Sequence, residues 1–212
     1  MSIESSADWL GRNHPLAYRV IRQPWRLLMR MLGRPLYWDS RRHYRYYQEV
    51  VRLARLHVPT GGCVLDVGAH EAELLQQLSW FRSRTALDIR YVMPRRGVET
   101  VVADFEVFEP DGPFDLVLCL QVLEHLPRPQ PFARKLLRTG RTVIISVPYG
   151  WPAGGHESHL HDPVDEAKLR LWTGAEPVET SMVDDGRQRL IAVYRAQATD
   201  SARGASAAAP SM

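Results

Sequence analysis

Three of the chain's eight histidines, His156, His159 and His161, fall within six positions of the stretch SVPYGWPAGGHESHLHDPVDE at 146–166. A neutral imidazole can accept a proton near pH 7, and a positioned one contributes about 10²- to 10⁴-fold when a nitrogen reaches the acceptor oxygen. His159 is the first choice as base. The run His159-Leu160-His161-Asp162-Pro163 stands immediately before an expected helix and so is held more firmly than His156. Asp162 can orient a neighbouring imidazole while capping that helix. The same histidines could instead hold a divalent cation, magnesium or manganese, with Glu157, Asp162 or Asp165 adding oxygen ligands. A third reading is a loop whose histidines simply bond backbone groups. Tyr149, Trp151 and Trp172 give this side aromatic surface, suited to stacking on a sugar face or an aromatic acceptor, or to ordinary core packing.

A second set of polar residues recurs at strand ends. In VLDVGAHEAELL at 64–75, a buried strand carrying Asp66 meets a helix through Gly68, where the missing side chain lets the backbone turn sharply and approach a ligand. Asp88 ends the next strand, 22 positions after Asp66. A carboxylate there can accept hydrogen bonds from both hydroxyls of a ribose. Asp104 ends the third strand. Each alone could be a cap or a solvated turn residue, but three acidic residues ending three successive strands put polar groups at the crevice where α/β sheets bind ligands. Glu124 and His125 either support the helix after the fourth strand or line an acceptor pocket.

The elements that must position these residues follow from the apolar pattern. CVLDVG (63–68), TALDI (85–89), ETVVAD (99–104), FDLVLCL (114–120) and TVIISV (142–147) are short β-rich runs, near-continuous in Val, Ile and Leu, as expected of parallel strands buried on both faces. Helices are expected at about 71–80, at 122–139 with a break near Pro127, Pro129 and Pro131, and from Asp162-Pro163 to about Trp172. PVETSMV and RQRLIAVYR flank Asp184-Asp185-Gly186, a hairpin signal that predicts an antiparallel edge. Only YVMPRRG separates the second and third strands, too little for an ordinary crossover helix. The result is an α/β sheet, mostly parallel, with an antiparallel C-terminal hairpin.

In that order and spacing, VLDVGAHEAELL, ALDI, VVADFEVF and FDLVLCLQVLEHLPRP resemble the class I S-adenosylmethionine-dependent methyltransferases over residues 58 to 195, the apolar strand leading into Leu-Glu-His-Leu being the most specific part. The resemblance implies a Rossmann-like, doubly wound sheet and S-adenosylmethionine as methyl donor. It also implies that Asp66 and Gly68 lie beside the methionine and ribose portions, that Asp88 grips the ribose hydroxyls, that Asp104 and Phe105 meet the adenine edge, and that Gln121 faces the methionine end. His70 and Ala72 stand where the family often has glycine, so either the loop opens slightly or His70 turns outward. The local mixture of His, Trp, Tyr and acidic groups is similar to small methyltransferases that act on sugar hydroxyls, which makes a saccharide the expected acceptor and O-methylation the expected reaction.

Composition bounds the rest. The chain has 212 residues, 45% hydrophobic and 24% charged, a globular balance that excludes a collagen-like, coiled-coil or wholly disordered chain. No apolar run reaches the length of a membrane span, and the N-terminus lacks the order of a secretory signal, so a cytoplasmic setting is expected. Cys63 and Cys119 each sit in apolar runs and read as buried reduced thiols. Residues 1–58 hold eleven arginines against four acidic residues. Residues 1–57 therefore read as a basic helical extension with a helix at 39–57, residues 58–196 as the catalytic domain, and the Ala- and Ser-rich 197–212 as a disordered tail. The basic arm suits an anionic membrane surface, and a quinone or lipid acceptor reached there is the alternative substrate class. A nucleic-acid partner is disfavoured by the presence of only two lysines and of no recognised RNA-binding module. A non-catalytic partner protein that lost donor binding is the alternative outside enzymes, motivated by the altered GAHEA loop.

Overall fold

The computed structural model describes residues 44–70, 72–90, 92 and 94–196. Seven strands form one sheet in the order β3-β2-β1-β4-β5-β7-β6. They are β1 (Cys63–Val67), β2 (Ser83–Asp88), β3 (Glu99–Val102), β4 (Phe114–Leu120), β5 (Gly140–Pro148), β6 (Glu179–Asp184) and β7 (Gln188–Arg195). β1 to β5 run parallel, and β7 enters antiparallel between β5 and β6, with Ile145 opposite Ala192 and Thr180 opposite the same residue on the other side. The strand order reverses between β1 and β4, which opens a crevice at their carboxyl ends. The expected α/β class, parallel sheet and hairpin are therefore all present, as a Rossmann-like fold.

Helices cover both faces. α1 (Arg45–His57) turns Tyr46, Tyr47, Val50, Leu53 and Ala54 inward at three- and four-residue spacing. With α2 (Glu73–Gln77) it closes a core layer containing Val64, Leu116, Ile144 and Ile191. α3 (Pro129–Thr139) begins with proline, whose absent amide would have been an unpaired donor there anyway. It packs with α4 (Glu166–Thr173) over Leu65, Val117, Cys119 and Ile145 on the opposite face. A 3₁₀ turn, Leu123–His125, separates β4 from α3, so the expected 122–139 helix is broken near its prolines.

Two boundaries differ from expectation. The third helix does not begin at Asp162-Pro163. Asp162 is committed to a histidine, and Asp165 is the cap, its side chain accepting the Lys168 amide at 2.7 Å; the Asp162–Pro163 peptide is cis. α2 is shorter than 71–80. The helix expected at 39–57 is described from Arg45, and the rest of the arm and the tail, residues 1–43 and 197–212, lie outside the described residues. No side chain at Tyr44 caps α1. The hairpin turn does so instead, with Asp185 accepting from the amides of Arg45 at 3.1 Å and Tyr46 at 2.9 Å. Between β2 and β3 the connection is a short bridged turn, Arg95 against Val98, as its length required. Both cysteines are free, Cys119 buried and Cys63 half-buried. No helix among the described residues is long and apolar enough to cross a membrane.

Candidate active site

A cavity of about 880 Å³ opens at the carboxyl ends of the central strands. Gly68, Asp88, Asp104, Phe105, Gln121, His156 and His159 all line it, together with Glu124 and His125. Asp66 and His161 do not.

At the β1 end, Gly68 has φ +76°, and a Cβ there would meet Val122 Cγ2 at 2.5 Å. Two residues on, His70 takes φ +45°, the left-handed region that glycine occupies without cost. The position therefore keeps glycine's conformation while carrying a side chain. Its amide donates to Asp88 Oδ2 at 3.0 Å, and the Arg90 amide donates to Oδ1 at 2.8 Å. The two oxygens of Asp88 are thus fixed in place by one amide each, leaving further acceptor capacity for a pair of hydroxyls. Asp104 is anchored by the Glu106 amide on Oδ1 at 2.8 Å, and Phe105 is buried against Phe132 with ring centroids 4.9 Å apart, forming an apolar slot beside it.

Gln121 also adopts a left-handed backbone, φ +58°. Its amide donates to the Ser146 carbonyl at 3.0 Å and its side chain to Ser146 Oγ at 3.3 Å, while Ser146 Oγ also shares a 2.6 Å hydrogen bond with the Tyr46 hydroxyl. Two strained non-glycine residues flanking one crevice are the local cost of shaping it. Asp66 lies beneath the floor, almost fully buried. Burial, with Asp88 nearby, pushes its carboxyl up to about 7. It is not among the residues that line the cavity, whose β1 wall is formed by Val67 and Gly68.

The opposite wall is built by the histidine loop. His159 Nδ1 donates to Asp162 Oδ2 at 2.6 Å, with the two side chains 5% and 1% exposed. Its ring stacks on His156 at 4.4 Å and on Trp151 at 5.5 Å, and meets His125 edge-on at 4.8 Å. With Nδ1 engaged, Nε2 carries the lone pair of the neutral ring. His156 Nδ1 accepts from Ser158 Oγ at 3.0 Å. His161 turns away: its Nε2 bonds the Leu126 carbonyl at 2.7 Å and its ring sits edge-on to Trp172, which is core. The cation set drawn from the loop is accordingly not assembled, since Asp162 holds His159, Asp165 caps α4 and Glu157 is exposed.

Glu124 is fully buried and neither of its oxygens meets a hydrogen-bond donor. Burial raises its carboxyl to about 8. His125 donates through Nδ1 to the Ser158 carbonyl at 3.0 Å, and its burial lowers its basicity. The sequence left these two residues open between helix support and pocket; they are pocket residues. Tyr44 just before α1, Tyr46 and Tyr47 within it, and Arg187 and Arg189 from the hairpin also line the cavity. Arg187 lies over the Trp151 ring at 4.6 Å. Nothing local in the sequence marked these tyrosines or the two arginines as cavity residues, because β6, β7 and α1 reach the crevice only through tertiary pairing.

A family model described as a methyltransferase domain matches residues 37–186. The chain belongs to this methyltransferase family. A search of curated proteins returns no match. Among solved structures, this methyltransferase resembles Burkholderia thailandensis 1,6-didemethyltoxoflavin-N1-methyltransferase with TM-score 0.60 and 20% identity, covering 86% of this chain and 90% of that one. Magnesium protoporphyrin IX methyltransferase from Synechocystis PCC 6803 gives TM-score 0.60 and 16% identity, covering 92% and 98%. The N-terminal domain of EvdMO1, crystallised in the presence of S-adenosylhomocysteine and D-fucose, gives TM-score 0.53 and 19% identity, covering 73% and 84%. Against a longer EvdMO1 chain the methyltransferase spans 41% of that chain. At these identities the likeness establishes the shared fold.

Proposed function

We propose that this methyltransferase moves the methyl group of S-adenosylmethionine onto a hydroxyl oxygen of a small molecule, a saccharide. The donor half of the crevice fits an adenosine: Asp88 offers two acceptor oxygens to the ribose, Phe105 and Asp104 offer a ring face and a carboxylate to the adenine, and Gly68 leaves room for the backbone approach. When bound, that donor supplies an electrophilic carbon on a sulfonium whose sulfur departs with the bonding pair.

The observation that carries the oxygen acceptor is the buried His159–Asp162 pair across the same cavity. An alcohol is too weakly acidic to be methylated efficiently with its proton in place, so a base must stand beside it. Asp162 fixes the His159 tautomer, and Nε2 takes the hydroxyl proton as the new carbon–oxygen bond forms. The resulting imidazolium is stabilised by the Asp162 carboxylate. Trp151 lines the same cavity and offers aromatic surface to a sugar ring. Crystallisation of the EvdMO1 domain in the presence of D-fucose supports the saccharide class, whereas the toxoflavin relative is an N1-methyltransferase. Incubation with isotopically labelled donor and pools of sugars, glycosides and heteroaromatic amines tests the reading. Label recovered on a sugar oxygen is expected, and label found only on nitrogen would overturn the oxygen acceptor.

A further inference from the structure

We propose that Glu124, His125 and His159 bind one divalent transition-metal ion, of the zinc and cobalt class. Each offers one ligand atom, and these atoms lie within 4.8 Å of one another; Glu124 Oε1 and His125 Nε2 are 4.0 Å apart. Ligands bonded to zinc at roughly 2.0–2.2 Å in tetrahedral array are about 3.4 Å apart, so side chains must close by about 1 Å to seize the ion.

Three independent features fit a cation at that point. The first is orientation of the imidazoles. His125 Nδ1 donates to the Ser158 carbonyl and His159 Nδ1 to the Asp162 carboxylate, which leaves Nε2 of both rings as the nitrogen with a lone pair. Metal-binding histidines are commonly held by such acceptors on the far nitrogen, which fix the tautomer and strengthen the ligand. The second is Glu124, fully buried with both oxygens unmatched. An acidic group withdrawn from water with no donor is costly, and a bound cation removes that cost. The third is rigidity: the Leu160 amide donates to the Glu124 carbonyl at 2.8 Å, stitching the histidine loop to the turn that carries the other two ligands.

The donor set selects the ion. Two imidazoles and one carboxylate suit zinc, cobalt or manganese better than magnesium, which prefers all-oxygen octahedra. The ligands line the cavity, so the coordination positions left open face the acceptor side. Binding stands on these residues alone; because it uses the His159 Nε2 lone pair that the reading above gives to the base, a part in catalysis takes from that reading only the methyl donor and the hydroxyl acceptor. A coordinated hydroxyl is more acidic, and in the metal-loaded protein, where His159 is a ligand, the stacked His156 is the nearest imidazole to receive the proton.

The full chain, stripped with chelator, is titrated with cobalt(II) while visible absorption is followed, and with zinc by calorimetry. One equivalent, with d–d bands of a low-coordinate site, is expected. Glu124→Gln and His125→Ala should each lose the bands, and Asp162→Asn should weaken binding about 10- to 100-fold. Calorimetry with S-adenosylmethionine on the same variants reports folding and donor binding separately, so failure of the donor reading is distinguishable. Absent bands in a protein that still binds donor, or bands that persist in Glu124→Gln and His125→Ala alike, would overturn the site.

Discussion

The carboxylate of Asp88 accepts the backbone amide of His70 at 3.0 Å, tying the end of β2 to the left-handed loop after β1. One side chain thus shapes the loop and presents acceptors to the crevice. Asp88→Ala is expected to weaken S-adenosylmethionine binding about 10- to 100-fold, the worth of hydrogen bonds to a charged acceptor. Asp88→Asn, which keeps one acceptor, should fall between. Titration calorimetry reads the difference, and an unchanged affinity in Asp88→Ala would remove the ribose assignment.

His159→Ala should depress kcat by about 10²- to 10⁴-fold with donor affinity retained. Asp162→Asn cannot stabilise the charged imidazole and should lose a smaller part of kcat. Single-turnover assays with labelled donor separate chemistry from binding; full turnover in His159→Ala would show that the acceptor loses its proton elsewhere.

Asp66 gives a pH signature. Its carboxyl lies at about 7 in the fold, raised first by burial and then by Asp88. In the unfolded chain it titrates near ~3.9. Between those values the folded state holds one more proton than the unfolded state, so this group's contribution to stability falls as pH rises through the window. Asp66→Asn removes that dependence. Its Tm relative to the parent should climb between about pH 5 and about pH 8. A difference that stays constant across that range would contradict the buried, proton-retaining carboxyl.

Gly68→Ala combines an unfavourable φ with a 2.5 Å approach to Val122 Cγ2. A loss of about 1–2 kcal/mol is expected from the backbone alone, with more from the clash. Adding Val122→Ala should recover only the clash. Thermal melts of the three proteins decide this, and a stable Gly68→Ala would mean that the loop has room the structure denies it.

The sheet was legible because its information is local. FDLVLCL and TVIISV are near-continuous in apolar residues, and Asp184-Asp185-Gly186 is turn chemistry in three residues. Asp88, Asp104 and Gln121 were legible as cavity-lining residues for the same reason, since each lies at or just beyond the end of a strand. The histidine wall was only half visible. His159 and Asp162 are three residues apart and pair as a local motif, but His161, the neighbouring candidate, is claimed by the Leu126 carbonyl. The convergence of Glu124 and His125 with His159 spans more than thirty positions and leaves no spacing to read. The α4 start was misplaced because two aspartates three residues apart both fit a cap, and only tertiary structure shows that Asp162 is already engaged.

The hydrogen bonds from Arg45 and Tyr46 to Asp185 bear on the order in which the molecule can mature. Synthesis proceeds from the N-terminus, so the helix and the residue before it, which bring three tyrosines to the crevice, emerge from the ribosome long before the turn that secures the helix's first amides. The ligand chamber is therefore a late product of translation, and a nascent chain halted short of the final hairpin would carry the cavity-lining histidines without a finished roof above them.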